Sequence, residues 1–265
     1  MSATQEGAIS LEQRDAVLLI GLDRVAKRNA FDLPMYAALS AALGTLERDP
    51  ALRCGVLFAH GEHFTGGIDL PQWVPHFQNG RTPPLPANGL DPLGLDAART
   101  RTKPLIIAVQ GYCYTIGIEL VLAADIRIAA DTTRFAQIEV KRGIYPIGGA
   151  TVRFAAESGW GNAMRWLLTG DEFDAAEAYR IGLVQQVVPA GTQLETAVAI
   201  ARSIARQAPL AVRASLLAAR RALDEGQRAA IAHLLPDLRA LLDTDDAREG
   251  LAAFHERREG RFTGR

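Results

Sequence analysis

The chain has 265 residues, 48% hydrophobic and 22% charged, which suits one large domain, or a domain with a helical appendage, around a substantial core. A formal net charge of −1 leaves no bulk electrostatic footprint for nucleic acid, and the cations are nearly all arginine, with Lys27, Lys103 and Lys141 the only lysines. Cys54 and Cys113 are the only cysteines, too few for a disulfide scaffold, and their apolar surroundings read as buried thiols in a reducing cytoplasm.

The polar start carries no basic residue ahead of an apolar run, so no secretory or organellar leader is expected. Residues 9–23 read as a hairpin turning at Arg14-Asp15, its second half more buried than its first. An amphipathic helix follows over 34–48, with Asp32 as cap and Pro34 in the first turn. Cys54–Ala59 is a short apolar strand that ends in the glycine-rich turn 61–67. The stretch 75–96, with five prolines and three glycines, reads as a mobile or irregular loop between two active turns, where a substrate lid could lie. Leu105–Val109 and Asp125–Ala129 are further apolar strands. The longest apolar run, Tyr112–Ala124, is broken by Glu119 and falls short of the roughly 20 residues a membrane span needs. A soluble cytoplasmic protein with no membrane partner is expected. Short apolar strands separated by helices imply a largely parallel α/β core with its active turns at the strand C-termini. Beyond about residue 150 the chain reads as mostly helical, with a strand at 183–188 and four helices over 191–207, 209–225, 228–242 and 244–259.

Several motifs point nowhere. Gly61 to Ile68 begins like a phosphate loop but lacks the Lys-Ser/Thr pair that would follow. Gly159-Trp160-Gly161 is a fragment of a dinucleotide fingerprint placed between helices, and no Gly-x-Ser-x-Gly elbow exists. The five histidines show no zinc spacing, so no metal is expected.

Two glutamates carry more weight. Glu119 lies in Gln110-Gly111-Tyr112-Cys113-Tyr114-Thr115-Ile116-Gly117-Ile118-Glu119. Its neighbours are apolar nearly all round, the mark of a buried helix, and a carboxylate there needs a partner or a purpose. The bland alternative is an ordinary first-turn helix carboxylate. Glu139, in Phe135-Ala136-Gln137-Ile138-Glu139, precedes Lys141 and Arg142, so a surface ion pair is its bland reading. Upstream, Phe64-Thr65-Gly66-Gly67-Ile68-Asp69-Leu70 could be a simple tight turn or a backbone turn offering N–H donors to a developing oxyanion.

Taken together and in order, these segments resemble the crotonase superfamily, whose best-known members are the enoyl-CoA hydratases. The resemblance runs nearly end to end and includes Leu168-Thr169-Gly170, Ala175-Ala176-Glu177-Ala178 and Gly182-Leu183-Val184. It implies an α/β crotonase spiral of ββα units over residues 1–200, holding the acyl-CoA site, and a helical trimerisation region over 201–265. Arg24, Ala26, Lys27, Arg28 and Ala30 resemble the coenzyme A segment. Thr65, Gly66, Gly67, Ile68, Asp69 and Leu70 resemble the first oxyanion turn, with the Gly66 N–H as donor; Tyr112, Thr115, Ile116 and Gly117 form the second, with the Ile116 N–H as donor. Glu119 and Glu139 fall on the catalytic pair, followed by Pro146. Phe254 and Arg257 resemble residues of the terminal helix that help cover coenzyme A, often across a trimer contact. The implied function is hydration of the 2,3 double bond of an enoyl-CoA by a homotrimer or a hexamer of two trimers, with no cofactor beyond the coenzyme A of the substrate. Isomerase, decarboxylase and dehalogenase chemistry, or a non-catalytic acyl-CoA-binding subunit, are alternatives on the same scaffold. Two departures touch the acyl pocket: Thr115-Ile116-Gly117 replaces the usual three glycines, and Ile138 and Ile147 replace smaller or proline residues.

Overall fold

A computed structural model describes residues 6–265. The chain opens with β1 (Ala8–Arg14) and β2 (Val17–Asp23), then α1 (Leu33–Arg48), β3 (Cys54–Ala59), α2 (Leu70–Gln78), β4 (Leu105–Val109) and β5 (Tyr112–Tyr114). It continues through α3 (Ile116–Ala123), β6 (Ile126–Ala130), β7 (Arg134–Ala136), α4 (Ala150–Ser158), α5 (Trp160–Thr169), β8 (Phe173–Asp174), α6 (Ala175–Arg180) and β9 (Gln186–Val188). Four helices close the chain: α7 (Gln193–Ala205), α8 (Pro209–Asp224), α9 (Gln227–Leu242) and α10 (Asp245–Glu256).

The main sheet has the order β1-β2-β3-β4-β6-β9. Only its first pair is antiparallel, the hairpin set by the positive φ of Asp15; every later pairing is parallel. β2 is buried on both faces, and its side chains divide by the period of two that a strand imposes. Leu18, Ile20 and Leu22 join the larger core with α1 and α3, while Val17 and Leu19 join a second core packed on α7. Helix α1 forms as its pattern requires. Met35, Leu39, Leu43 and Leu46 make one buried stripe, and the Asp32 carboxylate accepts the Met35 N–H at 2.9 Å.

A smaller sheet, β5-β7-β8, stands apart and was not foreseen. Its strands run three, three and two residues, too short for a period to register. The expected strand at 183–188 shortens to Gln186–Val188. The expected mobile or irregular loop at 75–96 is irregular from residue 79 onward, helical before that, and fixed at its far end. Its start belongs to α2, which tolerates Pro75 within it. Its far end is pinned: the Asp91 carboxylate accepts N–H bonds from Leu93, Leu95 and Asp96 at 3.0, 2.7 and 2.9 Å, and the Ser40 hydroxyl donates to the Leu90 carbonyl at 2.7 Å. Both cysteines are buried, as expected.

Candidate active site

The turn after β3 is stitched to its surroundings almost atom by atom. The Phe64 and Thr65 N–H groups donate to the Gln110 and Tyr112 carbonyls, each at 2.8 Å. The Gly66 N–H donates to the Arg28 carbonyl at 2.8 Å and the Asp69 N–H to the Phe31 carbonyl at 2.8 Å. The Gly67 N–H donates to the Thr65 hydroxyl at 3.1 Å. Between Phe64 and Asp69, the Ile68 N–H alone has no acceptor. The expected Gly66 donor is therefore corrected: its amide is already spent in holding the turn. The free amide lies two residues on.

The second turn is held at Thr115, whose N–H donates to the Ala136 carbonyl at 2.9 Å and whose carbonyl accepts the Ile118 N–H at 2.9 Å. Thr115 takes φ 50° and ψ −113°, a region that costs a side-chain-bearing residue on the order of 1–3 kcal/mol. It also places Ile116 at the first position of α3, where a helix leaves its N–H without an internal partner. Gly67 faces this turn at φ 118°, and a Cβ there would come within 2.7 Å of the Thr115 Oγ1.

Both glutamates reach the same space. A cavity of about 220 Å³ is bordered by Gly66, Gly67, Ile68, Leu70, Thr115, Ile116, Glu119 and Glu139. Glu119 is 5% exposed on α3. Its Oε1 accepts the Gly148 N–H at 2.6 Å, yet burial outweighs that bond, the Ala150 N–H and the nearby Arg153, and lifts its pKa to about 7. Glu139 lies in the first turn of the 3-10 helix Ile138–Arg142, and burial, with the Glu119 carboxylate adding to it, lifts its pKa to about 7 as well. Its Oε2 is buried without a hydrogen-bond partner. Lys141 pairs with Asp171 at 3.3 Å, so the surface-pair reading of Glu139 finds no support there.

The rest of the cavity is an apolar sleeve. Tyr36 of α1 and Trp73 and Phe77 of α2 form one wall; Tyr36 and Trp73 meet edge to face at 4.8 Å. Leu93 and Leu95 form another, with Ile138, Ile144, Tyr145 and Ile147 around the mouth. Sequence reasoning missed the α2 wall, although Leu70, Trp73 and Phe77 recur at helical spacing; Pro71 and Pro75 obscured it. It also missed Gly148. A Cβ there would sit 2.2 Å from the Glu119 Oε2, so only glycine admits the carboxylate.

Other expected site residues lie elsewhere. Arg24 is 2% exposed and pairs with Asp32 at 3.2 Å and Asp69 at 2.9 Å, and it also donates to the Ala30 carbonyl at 3.0 Å. Its expected place against coenzyme A is corrected: burial commits its guanidinium, and with it Asp69, to holding the turn after β3 against α1. Thr65 is fully buried and donates to the Asn29 carbonyl at 2.7 Å. Gly117 packs on Thr65, and Pro146 is buried beside the cavity mouth without bordering it. Lys27 and Arg28 are exposed. Ala26 and Arg28 border a second cavity of about 300 Å³ with His60, Glu62 and His63. Tyr112 stacks between His63 and Tyr114, with the Arg28 guanidinium 5.6 Å above its ring. Phe254 is 81% exposed; neither it nor Arg257 borders either cavity within this single chain.

A mostly parallel spiral with its turns gathered on one cavity is the crotonase architecture. A solved structure from Mycobacterium abscessus, titled a probable enoyl-CoA hydratase/isomerase, superposes with a TM-score of 0.95 at 50% identity, over 98% of this chain and 100% of that one. The family model described as enoyl-CoA hydratase/isomerase matches residues 12–265, and the chain belongs to that family. Enoyl-CoA hydratase EchA19 of Mycobacterium tuberculosis is 34% identical over the full length of both chains. The 2,3-dehydroadipyl-CoA hydratase of Escherichia coli K12 is 32% identical over 97% of this chain and 98% of that protein. The chain is thus a crotonase-type enzyme, and an acyl-CoA substrate fits its family. No helix among the described residues is long and apolar enough to cross a membrane.

Proposed function

We propose that the protein is an enoyl-CoA hydratase, adding water across the 2,3 double bond of an enoyl-CoA thioester. One observation carries this reading: the buried Glu119 and the half-buried Glu139, each with its pKa raised to about 7, share an apolar cavity with the unspent amides of Ile68 and Ile116. The thioester oxygen accepts hydrogen bonds from those two amides. As the water oxygen bonds to the β-carbon, the alkene electrons move toward the α-carbon and charge gathers on that oxygen. Each such donor is worth about 2.7–4 kcal/mol in the transition state. Helix α3 starts at Ile116 and adds its dipole in the same sense.

The glutamates divide the proton work by their settings. Glu119 is anchored by backbone N–H bonds from Gly148 and Ala150, which suits a fixed acceptor that orients the water. Glu139 has an oxygen without a partner and is free to exchange a proton with water and the α-carbon. A pKa near 7 lets either carboxyl be base or acid at neutral pH. The nucleotide end of coenzyme A is assigned to the 26–30 segment, where Lys27 and Arg28 are exposed. We also propose assembly into trimers. The apolar stripe Ile231, Leu234, Leu235, Leu238 and Leu242 on α9 is 48–75% exposed in the single chain, which supports burial by a second copy.

Mixing the protein with crotonyl-CoA should abolish the ultraviolet absorbance of the conjugated thioester and add the mass of water. Glu119→Gln and Glu139→Gln should each lower kcat by about 10²–10⁴-fold while leaving the fold intact. Wild-type turnover in either variant would refute the assignment. Turnover without the added mass would favour isomerisation.

A further inference from the structure

The acyl pocket is walled on one side by a segment that has no regular structure, yet this segment is not loose. Leu93 and Leu95 border the cavity, and between them the chain passes Gly94 at φ 62°. The Arg153 guanidinium, reaching across from α4, donates through Nη1 to the Leu93 carbonyl at 2.5 Å and through Nη2 to the Gly94 carbonyl at 2.7 Å. From the other side Asp91 gathers the Leu93, Leu95 and Asp96 amides and accepts the Tyr36 hydroxyl at 3.5 Å. The wall is therefore clamped by one cation on its carbonyls and one anion on its amides. A planar fork is the group suited to two successive carbonyls.

We propose that Arg153 is a positioning and specificity-determining residue: by holding the Leu93–Gly94 backbone it fixes the wall against which the acyl tail packs. Arg153 reaches the backbone of the wall and acts through Leu93 and Leu95. The clamp matters in proportion to how far a tail extends past the β-carbon. A crotonyl group has one methyl there; an octenoyl group has five carbons and must rely on the wall. This inference rests on the hydratase reading and adds the part of the pocket that selects the tail.

The test compares KM and kcat for crotonyl-CoA and trans-2-octenoyl-CoA in wild type, Arg153→Met, Arg153→Lys and Asp91→Asn. In Arg153→Met the ratio of octenoyl to crotonyl KM should rise about tenfold, the worth of about one to two methylenes of lost apolar contact. The two kcat values should shift by a common factor. Arg153→Lys, which can reach one carbonyl at a time, should give a smaller rise. Asp91→Asn loosens the same wall without touching Arg153 and should move the ratio in the same direction; it decides the matter if Arg153→Met does not fold. A ratio unchanged from wild type in folded Arg153→Met, or in Asp91→Asn, would overturn the proposal while leaving the hydratase reading intact. A wild type that hydrates neither thioester would instead overturn the hydratase reading and this inference with it.

Discussion

Glu119 and Glu139 are held in a state that costs stability. Each pKa stands raised from 4.5 to about 7, so the folded chain binds more protons than the unfolded chain in that interval. The cost is absent below about pH 4.5, grows as pH rises toward 7, and is constant above it. Glu119→Gln should therefore stabilise the protein at pH 8, by about 2 kcal/mol, with the gain vanishing near pH 4.5. Denaturant melts at the two pH values check this; a variant less stable than wild type at pH 8 would contradict it. For the wild type, kcat against pH should be bell-shaped about neutrality, with both apparent values belonging to the coupled pair. The burial of Glu119 was legible in the sequence because a carboxylate amid Ile116, Ile118, Leu120 and Val121 is conspicuous, whereas Glu139 stood out only through the family resemblance. The free amide of the turn after β3 was not legible. A bare glycine looks available, but whether an amide is free depends on Arg28, Tyr112 and Phe31, which lie far off in the chain.

At the scale of elements, the two ends of the site depend on how helices begin. Helix α3 begins at the constrained Thr115, and α4 begins beside Gly148, whose N–H meets Glu119. Gly148→Ala would place a methyl 2.2 Å from the Glu119 Oε2, so the carboxylate must shift from its place on the Gly148 N–H. The expected result is a fall in kcat of about 10²-fold or more with secondary structure retained, seen by steady-state kinetics beside circular dichroism. Equal activity in the alanine variant would show that Glu119 need not occupy this position. The short strands β3 and β4 were readable as unbroken apolar runs of six and five residues, and the capped helix α1 because it repeats its period several times. Strands β5, β7 and β8 hold too few residues to show one, and their pairing comes from tertiary contact. Helix α2 was hidden by its own prolines, one acceptable in the first turn and one inside the helix at Pro75.

On the scale of the whole molecule, the sheet and its two cores are complete within one chain, whereas α9 leaves a run of leucines in solvent. If the proposed trimer forms through this stripe, Leu235→Glu should lower the mass measured by light scattering, and an unchanged mass would place the contact elsewhere. The helical tail was readable from its breaks near Pro209, Gly226 and Asp243, but which face meets a partner is not written in a period. The Arg24 knot has a different reach. Asp32 starts α1 and also accepts the Gly7 N–H at 2.7 Å; Asp69 closes the turn after β3; one guanidinium serves both. Deleting Arg24 leaves Asp32, 2% exposed, unpaired out of water and Asp69, 24% exposed, without its cation, a loss of about 3–5 kcal/mol, whereas neutralising Arg24 and Asp69 together leaves only Asp32 unmatched. Losing Asp69 alone keeps the Arg24–Asp32 pair matched, so lineages could drop the outer carboxylate at lower cost than the guanidinium, which holds both anions.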